Sequence, residues 1–458
     1  MKFSAREIAH ATGGTLVHGL PEALVDGVST DSRALRPGQL FVPLVGSRCD
    51  GHDFIADALA RGAAGFLFTQ SHALIPRQGI AIHVQDTRRA LSDLARWALA
   101  KLNAPIIAVA GSNGKTTTKE LTAQVLAQRF RTHATVGNQN TEIGLPLTVL
   151  NAPDETEVLV LEMGTTAVGD VRRLCRIAPP TLGVLTSISE EHLATLGSFE
   201  QIMEAETELL EALPGEGLAI VNGDHPDLLA VAQRKARSRL VTFGFAPQND
   251  FVAEELHISR EGTRFSLRSP RGRSEVQLSL LGRPAVLAAL AATAVAHHFG
   301  LTPSEIRHGL KSARGAWGRL QLLALPTAPI TVLHDAYNAN PASMREAILC
   351  AAQIRHPDEA LIFVLGDMLE LGAWSEQAHR ELGRFVAHIR PDRLIVVGEH
   401  ARFIGEEAAR AGVPVQYHAT ADEVDIHLEE RRCLILLKGS RGMHLERVLE
   451  ALDFGCIL

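Results

Sequence analysis

Short apolar runs that end in polar or glycine residues recur along this chain, and each run predicts a buried strand of a parallel sheet. From residue 315 onwards, these runs lie at residues 330–333, 361–365, 394–397 and 434–437. Segments with apolar residues at helical spacing separate the runs. This alternation predicts a doubly wound α/β sheet, in which ligands bind beyond the carboxyl ends of the strands.

The middle of the chain shows the same alternation with one interruption. Strands are predicted at residues 106–110, 158–161 and 183–186, and a helix at residues 90–101 precedes the first of them. Between residues 250 and 280, apolar and polar positions alternate with a period of two, which is typical of antiparallel strands. We therefore predict a central parallel sheet with an antiparallel extension.

Shorter elements fill the first part of the chain. A capping box at residues 4–7 predicts a helix that ends at Gly13 and Gly14, and residues 38–44 are predicted to form a strand. The small alternating elements indicate a compact α/β domain. The whole chain is thus predicted to be an α/β protein of three domains, at residues 1–82, 83–314 and 315–458.

Composition narrows the class of protein. The chain has 458 residues, of which 46% are hydrophobic and 21% charged, as in ordinary globular domains. Its net charge is −7 without any basic block, which argues against a nucleic-acid partner. The five cysteines lack metal-ligand spacing, and no apolar stretch reaches the ~18 residues of a transmembrane helix. We expect a cytoplasmic protein that does not insert into membranes.

The turn after the predicted strand at residues 106–110 carries a chemical signature. Residues 111–116 are Gly-Ser-Asn-Gly-Lys-Thr, and a helical apolar pattern follows them. In such a turn, backbone N–H groups face an anion, Lys115 reaches the terminal phosphates and the Thr116 hydroxyl can hold Mg²⁺. The loop is shorter than the common phosphate loop, because Val109 stands where that pattern has glycine. A chance glycine turn is the alternative, and we interpret the segment as an ATP site.

Four further positions have both a chemical and a structural interpretation. Glu162 follows a predicted strand beside the ATP loop, where a Mg²⁺ ligand is needed, and a helix-capping role is the alternative. His192 on its own is more typical of a structural histidine. Arg33 and Arg48 lie in polar N-terminal loops, where spacing alone favours solvated surface charges.

Several motifs in order resemble the Mur ligases, and among them the type that adds D-alanyl-D-alanine. The motifs are the loop at residues 111–120, Tyr-Asn-Ala-Asn-Pro at 337–341, Gly-Asp-Met-Leu-Glu-Leu-Gly at 366–372, Lys-Gly-Ser-Arg at 438–441, and the segments 31–33 and 50–54. The similarity runs from about residue 26 to residue 450.

The resemblance implies a monomeric three-domain enzyme that uses ATP and Mg²⁺ in peptidoglycan precursor synthesis. The first domain would bind UDP-N-acetylmuramoyl-tripeptide, the second ATP, and the third would close over the site with D-alanyl-D-alanine. The tripeptide carboxylate would attack the γ-phosphate of ATP, and the dipeptide amine would then attack the acyl phosphate. Such phosphoryl transfer depends on positioning and charge neutralisation.

The resemblance also implies roles for individual residues. The expected catalytic residues are Lys115, Glu162, His192 and Arg319. The expected ATP-binding residues are Gly111, Ser112, Asn113, Gly114, Lys115, Thr116, Thr117, Arg319 and Asp335. The expected substrate-binding residues are Ser32, Arg33, Arg48, Asn138, Tyr337, Asn338 and Asn340, with Arg441 as a further candidate. The expected metal ligands are Thr116, Glu162, His192 and Glu206.

The chain departs from the family pattern at several positions. The family has a His-Asn pair whose Asn contacts adenine, and the segment Gly-Arg-Pro-Ala at residues 282–285 has neither residue. Glu206 stands where the family has a lysine whose carbamate binds the second Mg²⁺. Glu206 already carries a carboxylate and is interpreted as a substitute ligand. The alternative is a solvated glutamate on a helix face, in an acidic run with Glu204 and Glu208.

Two other functions remain open at this stage. One is a catalytically inactive nucleotide-binding relative that acts as a scaffold, and the other is a related ligase with a different amino substrate. The presence of Lys115, Glu162 and Asp335 together favours the enzyme over the scaffold. The motifs at residues 337–341 and 366–372 favour D-alanyl-D-alanine as the amino substrate.

Overall fold

A computed structural model describes residues 1–69, 76–190, 193–324, 329–426 and 432–452. The described elements form separate sheets in the regions that the sequence assigns to three domains, which we call the N-terminal, middle and C-terminal regions. The exact boundaries stay a prediction, because β7 (Ile80–His83) crosses the first of them. Among the described residues, no helix is both long and apolar enough to span a membrane.

The N-terminal region is a small mixed sheet with helices around it. A sheet in the order β2-β7-β6-β5-β4 is parallel from β4 to β7, and β1 pairs separately with β3. The remaining strands are β1 (Lys2–Ser4), β2 (Thr15–His18), β3 (Leu24–Asp26), β4 (Val28–Ser29), β5 (Leu40–Phe41) and β6 (Gly65–Phe68). The helices are α1 (Ala5–Thr12) and α2 (Ile55–Ala60).

The middle region contains the sheet with the most strands in the described structure. Its strands are β8 (Ile106–Ala110), β9 (Thr132–Ala134), β10 (Val158–Glu162), β11 (Leu182–Leu185), β12 (Leu218–Asn222), β13 (Arg239–Gly244), β14 (Phe251–Ser259), β15 (Gly262–Ser269) and β16 (Gly272–Leu278). Its helices are α3 (Thr87–Leu102), α4 (Lys115–Leu126), α5 (Gly144–Leu150), α6 (Asp170–Ile177), α7 (Leu193–Leu196), α8 (Phe199–Ala212), α9 (Pro226–Lys235), α10 (Gly282–His298) and α11 (Pro303–Ser312).

The strand order places β8 at a switch point. The order is β16-β15-β14-β13-β12-β11-β8-β10-β9, and the strands from β14 to β9 are parallel. After β8, the chain first builds one side of the sheet with β9 and β10 and then crosses to β11 on the other side. A crevice opens at the carboxyl ends of the strands where the order reverses, so β8, β10 and β11 supply its walls.

The C-terminal region is a second doubly wound sheet with one antiparallel edge. The order is β17-β18-β22-β19-β20-β21, and only β17 runs antiparallel among the described strands. The strands are β17 (Gln321–Ala324), β18 (Ile330–His334), β19 (Ala360–Gly366), β20 (Arg393–Val397), β21 (Val415–His418) and β22 (Cys433–Lys438). The helices are α12 (Pro341–Ile354), α13 (Ser375–Ile389), α14 (Arg402–Arg410) and α15 (Arg447–Ala451).

Apolar side chains cover both faces of the two larger sheets. One core cluster extends from the N-terminal region across α3 and α5 to one face of the middle sheet. A second cluster fills the opposite face beneath α4 and α10. Ile258 of the β14–β15 hairpin and Leu281 join the core of the C-terminal region. The middle region therefore contacts both of its neighbours through buried apolar surface.

The sequence pattern located β8, β10 and β11 of the middle sheet and four strands of the C-terminal sheet, but it did not predict β6, β7 and β12, although these are buried and apolar. The α/β class, both parallel sheets and the antiparallel extension at residues 250–280 are confirmed. The predicted strand at residues 38–44 is wrong in length, since only Leu40–Phe41 pair as a strand. The short strands β9 and β17 lie at sheet edges and have little apolar pattern to reveal them.

Candidate active site

The phosphate loop between β8 and α4 has a backbone that suits glycine at two positions. Gly111 has φ 122° and Gly114 has φ 83°, both in the left-handed range that L side chains rarely adopt. A Cβ atom at Gly111 would lie 2.4 Å from Thr186 Oγ1, because the loop passes close to the end of β11. The first N–H groups of α4 have no acceptor within the helix and can bind an anion.

Hydrogen bonds to the segment after β11 fix the loop in place. The Ser112 N–H donates to Ser187 O at 2.7 Å, and the Asn113 N–H donates to Ser187 Oγ at 3.0 Å. Lys115 Nζ bends back and donates to Gly111 O at 2.5 Å and to Ser112 O at 3.1 Å. The ammonium group of Lys115 is therefore held against the loop backbone.

Glu162 presents a buried carboxylate at the end of β10. It is 3% exposed, and its Oε1 accepts a hydrogen bond from Asn140 Nδ2 at 2.8 Å. Its backbone N–H donates to Thr135 Oγ1 at 2.9 Å. In the described part of the chain, Glu162 Oε2 has no hydrogen-bond partner although it is buried. The carboxylate binds a side-chain amide rather than helix N–H groups, which argues against the helix-capping alternative.

Lys119 on α4 also contributes to the position of Glu162, and it was not among the predicted site residues. Its side chain is fully buried, and Nζ donates to Thr135 O at 2.6 Å and to the Glu120 carboxylate. Because Thr135 in turn accepts the Glu162 N–H, the lysine on α4 is connected to the end of β10 through one residue.

Glu206 lies inside the protein rather than on a solvated helix face. Its side chain on α8 is fully buried, and Oε2 accepts a hydrogen bond from the Gly111 N–H at 2.7 Å. The solvated alternative is therefore wrong for this residue. The carboxylate lies directly beneath the first glycine of the phosphate loop.

The neighbours of Glu206 in the acidic run differ from one another. Glu208 is fully buried and accepts the N–H groups of Gly169 and Arg172 at 2.7 Å and 2.9 Å, so it caps the start of α6. Glu204 is about half exposed and pairs with Lys235 at 2.8 Å. Only Glu204 fits the description of a solvated helix-face glutamate.

Residues of the C-terminal region face the phosphate loop from the other side. The Arg319 guanidinium stacks over the Tyr337 ring, with 4.2 Å between Cζ and the ring centroid. Asp335 follows β18, and its Oδ2 lies 2.6 Å from the buried Lys438 Nζ while its Oδ1 accepts the Leu320 N–H at 3.1 Å. Asp335 thus fixes the backbone beside Arg319.

Two adjoining cavities lie between the middle and C-terminal regions. The first, of about 140 Å³, is lined by Ser112, Asn113, Gly114, Lys115, Thr116, Asn140, Glu162, Arg319, Tyr337, Asn338, Ala339, Asn340 and Ser343. The second, of about 100 Å³, is lined by Asn338, Ala339, Asn340, Leu369, Glu370, Leu371, Ser440, Arg441 and Gly442. Asn338, Ala339 and Asn340 form the wall that the two cavities share.

The structure does not bring every candidate residue into these cavities. Gly111, Thr117, Asp335 and Glu206 do not line the first cavity. Gly111 and Glu206 are hydrogen-bonded to each other, and Asp335 pairs with Lys438. Arg33, Arg48 and Asn138 lie on the exposed surface, and Ser32 is buried in the N-terminal region. Arg33 pairs with Asp31, which lowers the pKa of that carboxyl below its ordinary value through hydrogen bonds to Arg33. His192 lies outside the described residues.

Sequence reasoning missed three residues that shape the site. Asn140 donates a hydrogen bond to Glu162, whereas the prediction chose Asn138 from the Gly-Asn-Gln-Asn segment at residues 137–140. Lys119 in the second turn of α4 and Lys438 at the end of β22 are buried lysines. For Lys438, a lysine at the carboxyl end of a buried apolar run is a usable signal, whereas no local pattern points to Lys119. Among the described residues, no group of three His, Cys, Asp or Glu side chains could hold a metal ion.

Three family models match the chain in order along its length. The model of the Mur ligase family catalytic domain matches residues 24–98, that of the Mur ligase middle domain residues 109–296, and that of the Mur ligase glutamate ligase domain residues 318–441.

Full-length relatives and solved structures agree with these matches. The UDP-N-acetylmuramoyl-tripeptide–D-alanyl-D-alanine ligase of Bacillus subtilis (strain 168) is 37% identical over 99% of this chain and 98% of that protein. The ligase of the same name from Escherichia coli (strain K12) is 35% identical over 94% of each.

Among solved structures, MurF from Acinetobacter baumannii has a TM-score of 0.88 at 29% identity and covers 99% of both chains. MurF ligase from Thermotoga maritima in complex with ADP has a TM-score of 0.81 at 28% identity over 94% of this chain and 97% of that one. The chain therefore belongs to the Mur ligase family, among its UDP-N-acetylmuramoyl-tripeptide–D-alanyl-D-alanine ligases.

Proposed function

We propose that this chain is an ATP-dependent ligase that joins D-alanyl-D-alanine to UDP-N-acetylmuramoyl-tripeptide in peptidoglycan precursor synthesis. The observation that carries the proposal is the larger cavity, where the phosphate loop faces Arg319, Tyr337 and Asn338 of the C-terminal region. Relatives that share more than a third of their residues with the chain over almost its whole length are named for this activity. An active ligase, rather than a scaffold, accounts for both observations.

ATP binding is proposed for the loop and for the two C-terminal residues opposite it. The first N–H groups of α4 and Lys115 would take the phosphates, since a helix N-terminus and an ammonium group both favour anions. Arg319 would add a second positive charge from the opposite side of the cavity. Asp335 would contribute indirectly, because it fixes the backbone beside Arg319. The proposed set is Gly111, Ser112, Asn113, Gly114, Lys115, Thr116, Thr117, Arg319 and Asp335.

Mg²⁺ fits the oxygen atoms that face the cavity. Glu162 Oε2 is a buried carboxylate oxygen without a hydrogen-bond partner among the described residues, and Thr116 lines the same cavity. Both are the hard oxygen ligands that Mg²⁺ prefers. When bound there, the ion would neutralise phosphate charge during transfer. Glu206 and His192 are proposed for a second ion.

The chemistry then needs positioning rather than a protein nucleophile. The tripeptide carboxylate attacks the γ-phosphorus of ATP, which forms an acyl phosphate and releases ADP. The amine of the dipeptide attacks the acyl carbon, the amide bond forms, and phosphate leaves. Lys115 and Arg319 offset the charge that develops during phosphoryl transfer. Closure of the C-terminal region over the cavity would limit access of water, which would otherwise hydrolyse the acyl phosphate.

The two other substrates are proposed to approach from opposite ends of the cavity. Ser32, Arg33, Arg48 and Asn138 would bind the UDP-tripeptide on the side of the N-terminal region. Tyr337, Asn338 and Asn340 would bind the dipeptide, because they line the first cavity and two of them also line the second. We further propose that the chain acts as a monomer in the cytoplasm.

The proposal is tested by release of ADP from the full chain with ATP, Mg²⁺ and UDP-tripeptide. Steady release is expected only when D-alanyl-D-alanine is also present, because the acyl phosphate is consumed by the amine. A parallel ADP-binding titration detects the scaffold alternative. Binding of ADP without turnover under any substrate combination would favour that alternative over the ligase.

A further inference from the structure

Asn113 and Asn340 connect the phosphate loop to the C-terminal region through their side-chain amides. Asn340 Nδ2 donates to Asn113 Oδ1 at 2.8 Å, and Asn113 Nδ2 lies 3.4 Å from Asn340 Oδ1. Asn113 stands in the loop before α4, whereas Asn340 is the N-cap of α12. The contact therefore crosses the boundary between the region that carries the loop and the region that faces it.

The Asn113 side chain is engaged by protein atoms at both ends of its amide. Its Nδ2 also donates to Ser189 Oγ at 2.7 Å, and its Oδ1 accepts from Asn340. The backbone of Asn113 belongs to the phosphate loop and is fixed by the Ser187 hydroxyl. Its side chain instead ties that loop to a residue of the other region.

Asn340 transmits its position to the wall between the two cavities. It is 4% exposed, and its Oδ1 accepts the Ser343 N–H at 2.9 Å while its own N–H donates to Ser343 Oγ at 3.0 Å. These bonds form a capping box that locks Asn340 to α12. A shift of Asn340 therefore moves Asn338 and Ala339, which line both cavities.

We propose that Asn113 is a positioning residue for the amine substrate, acting through Asn340, although it lies in the nucleotide loop. This inference rests on the proposed ligase function. Amide formation requires the amine close to the acyl carbon, and a small misplacement of a substrate-binding wall weakens that approach. The Asn113 side chain thus positions the wall that would bind D-alanyl-D-alanine, while its backbone would bind ATP.

The test is steady-state kinetics of the full chain with Asn113→Ala, Asn340→Ser and the double variant. Serine still caps α12 but is too short to reach Asn113. Loss of one neutral hydrogen bond predicts a rise of about 3- to 10-fold in the KM for D-alanyl-D-alanine in each single variant. The KM for ATP and the dissociation constant of ADP should rise by a smaller factor than the KM for the dipeptide, because Asn113→Ala keeps the backbone N–H that is proposed to bind phosphate. Because both substitutions break the same contact, Asn113→Ala should have a much smaller effect on the KM for the dipeptide in the Asn340→Ser background than in the wild type.

Several outcomes would overturn the inference. A rise in the KM for ATP as large as that for the dipeptide would make Asn113 an ordinary nucleotide residue. Effects that multiply in the double variant would mean that the two residues act independently. Asn113→Ser repeats the test if Asn113→Ala melts at a markedly lower temperature. Failure of the wild type to turn over with the dipeptide would instead refute the proposed function, so the two failures are distinguishable.

Discussion

Lys438 and Asp335 form a buried ion pair behind the arginine that faces the phosphate loop. Lys438 Nζ lies 2.6 Å from Asp335 Oδ2, and their side chains are 1% and 9% exposed. Burial lowers the pKa of Lys438 below its ordinary value, although the adjacent Asp335 carboxylate opposes the shift. Since Asp335 Oδ1 holds the Leu320 N–H, the lysine fixes both the carboxylate and the backbone next to Arg319.

We predict that ADP binding weakens at alkaline pH before an ordinary lysine would titrate. Lys438 loses its proton as the pH rises through its lowered pKa, which is below the ordinary 10.5, and Asp335 is then left without its cation. Calorimetric titration of ADP between about pH 7 and pH 10 should show this loss. Lys438→Met should bind ADP weakly already at neutral pH and lack the alkaline transition.

The same variant should also be less stable. Removal of one partner of a buried ion pair typically costs about 3–5 kcal/mol, because the other charge stays buried and unpaired. Thermal or urea unfolding of Lys438→Met measures this, and Lys311→Met at an exposed position is the control.

For the pH prediction, wild-type ADP affinity that stays constant up to about pH 10 would contradict the role of the ion pair between Lys438 and Asp335.

We predict that Lys115→Ala abolishes turnover and leaves the fold intact. Lys115 contacts backbone carbonyls of the loop and fills no core position, so its loss removes phosphate charge rather than packing. Loss of such an electrostatic contact typically lowers the rate by ~10²–10³ or more. Phosphate release and thermal melting should be measured together, with Lys311→Ala as control. Near-normal activity in a folded variant would refute the ATP-loop assignment.

The chemistry at single strand ends could be predicted because the pattern is local. The apolar residues 106–110 and 158–161 define where β8 and β10 end, and the glycine loop and Glu162 follow directly. Parallel neighbours bring such ends together, so the sheet itself gathers the site. The positions of the phosphate loop and of Glu162 follow from the sequence without knowledge of the tertiary packing.

Contacts between distant segments could not be predicted in this way. Gly111 and Glu206 are joined by one hydrogen bond across 95 positions of sequence, and Asn113 and Asn340 by another across 227. Such pairs depend on how α8 and α12 pack, which no local pattern contains. The same limit explains why the sequence left a solvated helix-face glutamate open as the alternative for Glu206.

We predict that Thr135→Val raises the Mg²⁺ concentration needed for half-maximal activity. Thr135 Oγ1 accepts the Glu162 N–H, and valine has the same shape without the acceptor. A buried N–H left without a partner costs about 1–3 kcal/mol, which favours a shift of the Glu162 backbone. The measurement is a Mg²⁺ titration of phosphate release.

Thr132→Val is the matched control for this prediction, because Thr132 begins β9, which ends directly before Thr135, and its hydroxyl bonds only to Phe130 O among the described contacts. An unchanged Mg²⁺ dependence in Thr135→Val would mean that Glu162 is positioned by Asn140 alone. A change of equal size in Thr132→Val would point to general loosening of β9 instead.

The last prediction concerns the carboxylate beneath the loop. A carbamylated lysine, as the family pattern implies at this position, must capture CO₂ before it can act, whereas Glu206 has its carboxyl group without any modification. Glutamate is three bonds shorter, which amounts to roughly 3.5–4 Å. In the structure, the shorter Glu206 side chain accepts a hydrogen bond from the Gly111 N–H at 2.7 Å. We therefore expect turnover in CO₂-stripped buffer to equal turnover with added bicarbonate.

Substitutions separate a role for Glu206 from simple burial. Glu206→Ala leaves the buried Gly111 N–H without its acceptor, a loss of about 1–3 kcal/mol that should distort the loop and raise the Mg²⁺ and ATP requirements. Glu206→Gln keeps an acceptor and removes the charge, so it should retain the loop but still need more Mg²⁺ if the charge assists a metal. Glu204→Ala, at the exposed position one half-turn away, should behave as wild type. Wild-type activity that requires bicarbonate, or a Glu206→Ala variant that matches wild type across the Mg²⁺ titration, would refute this role.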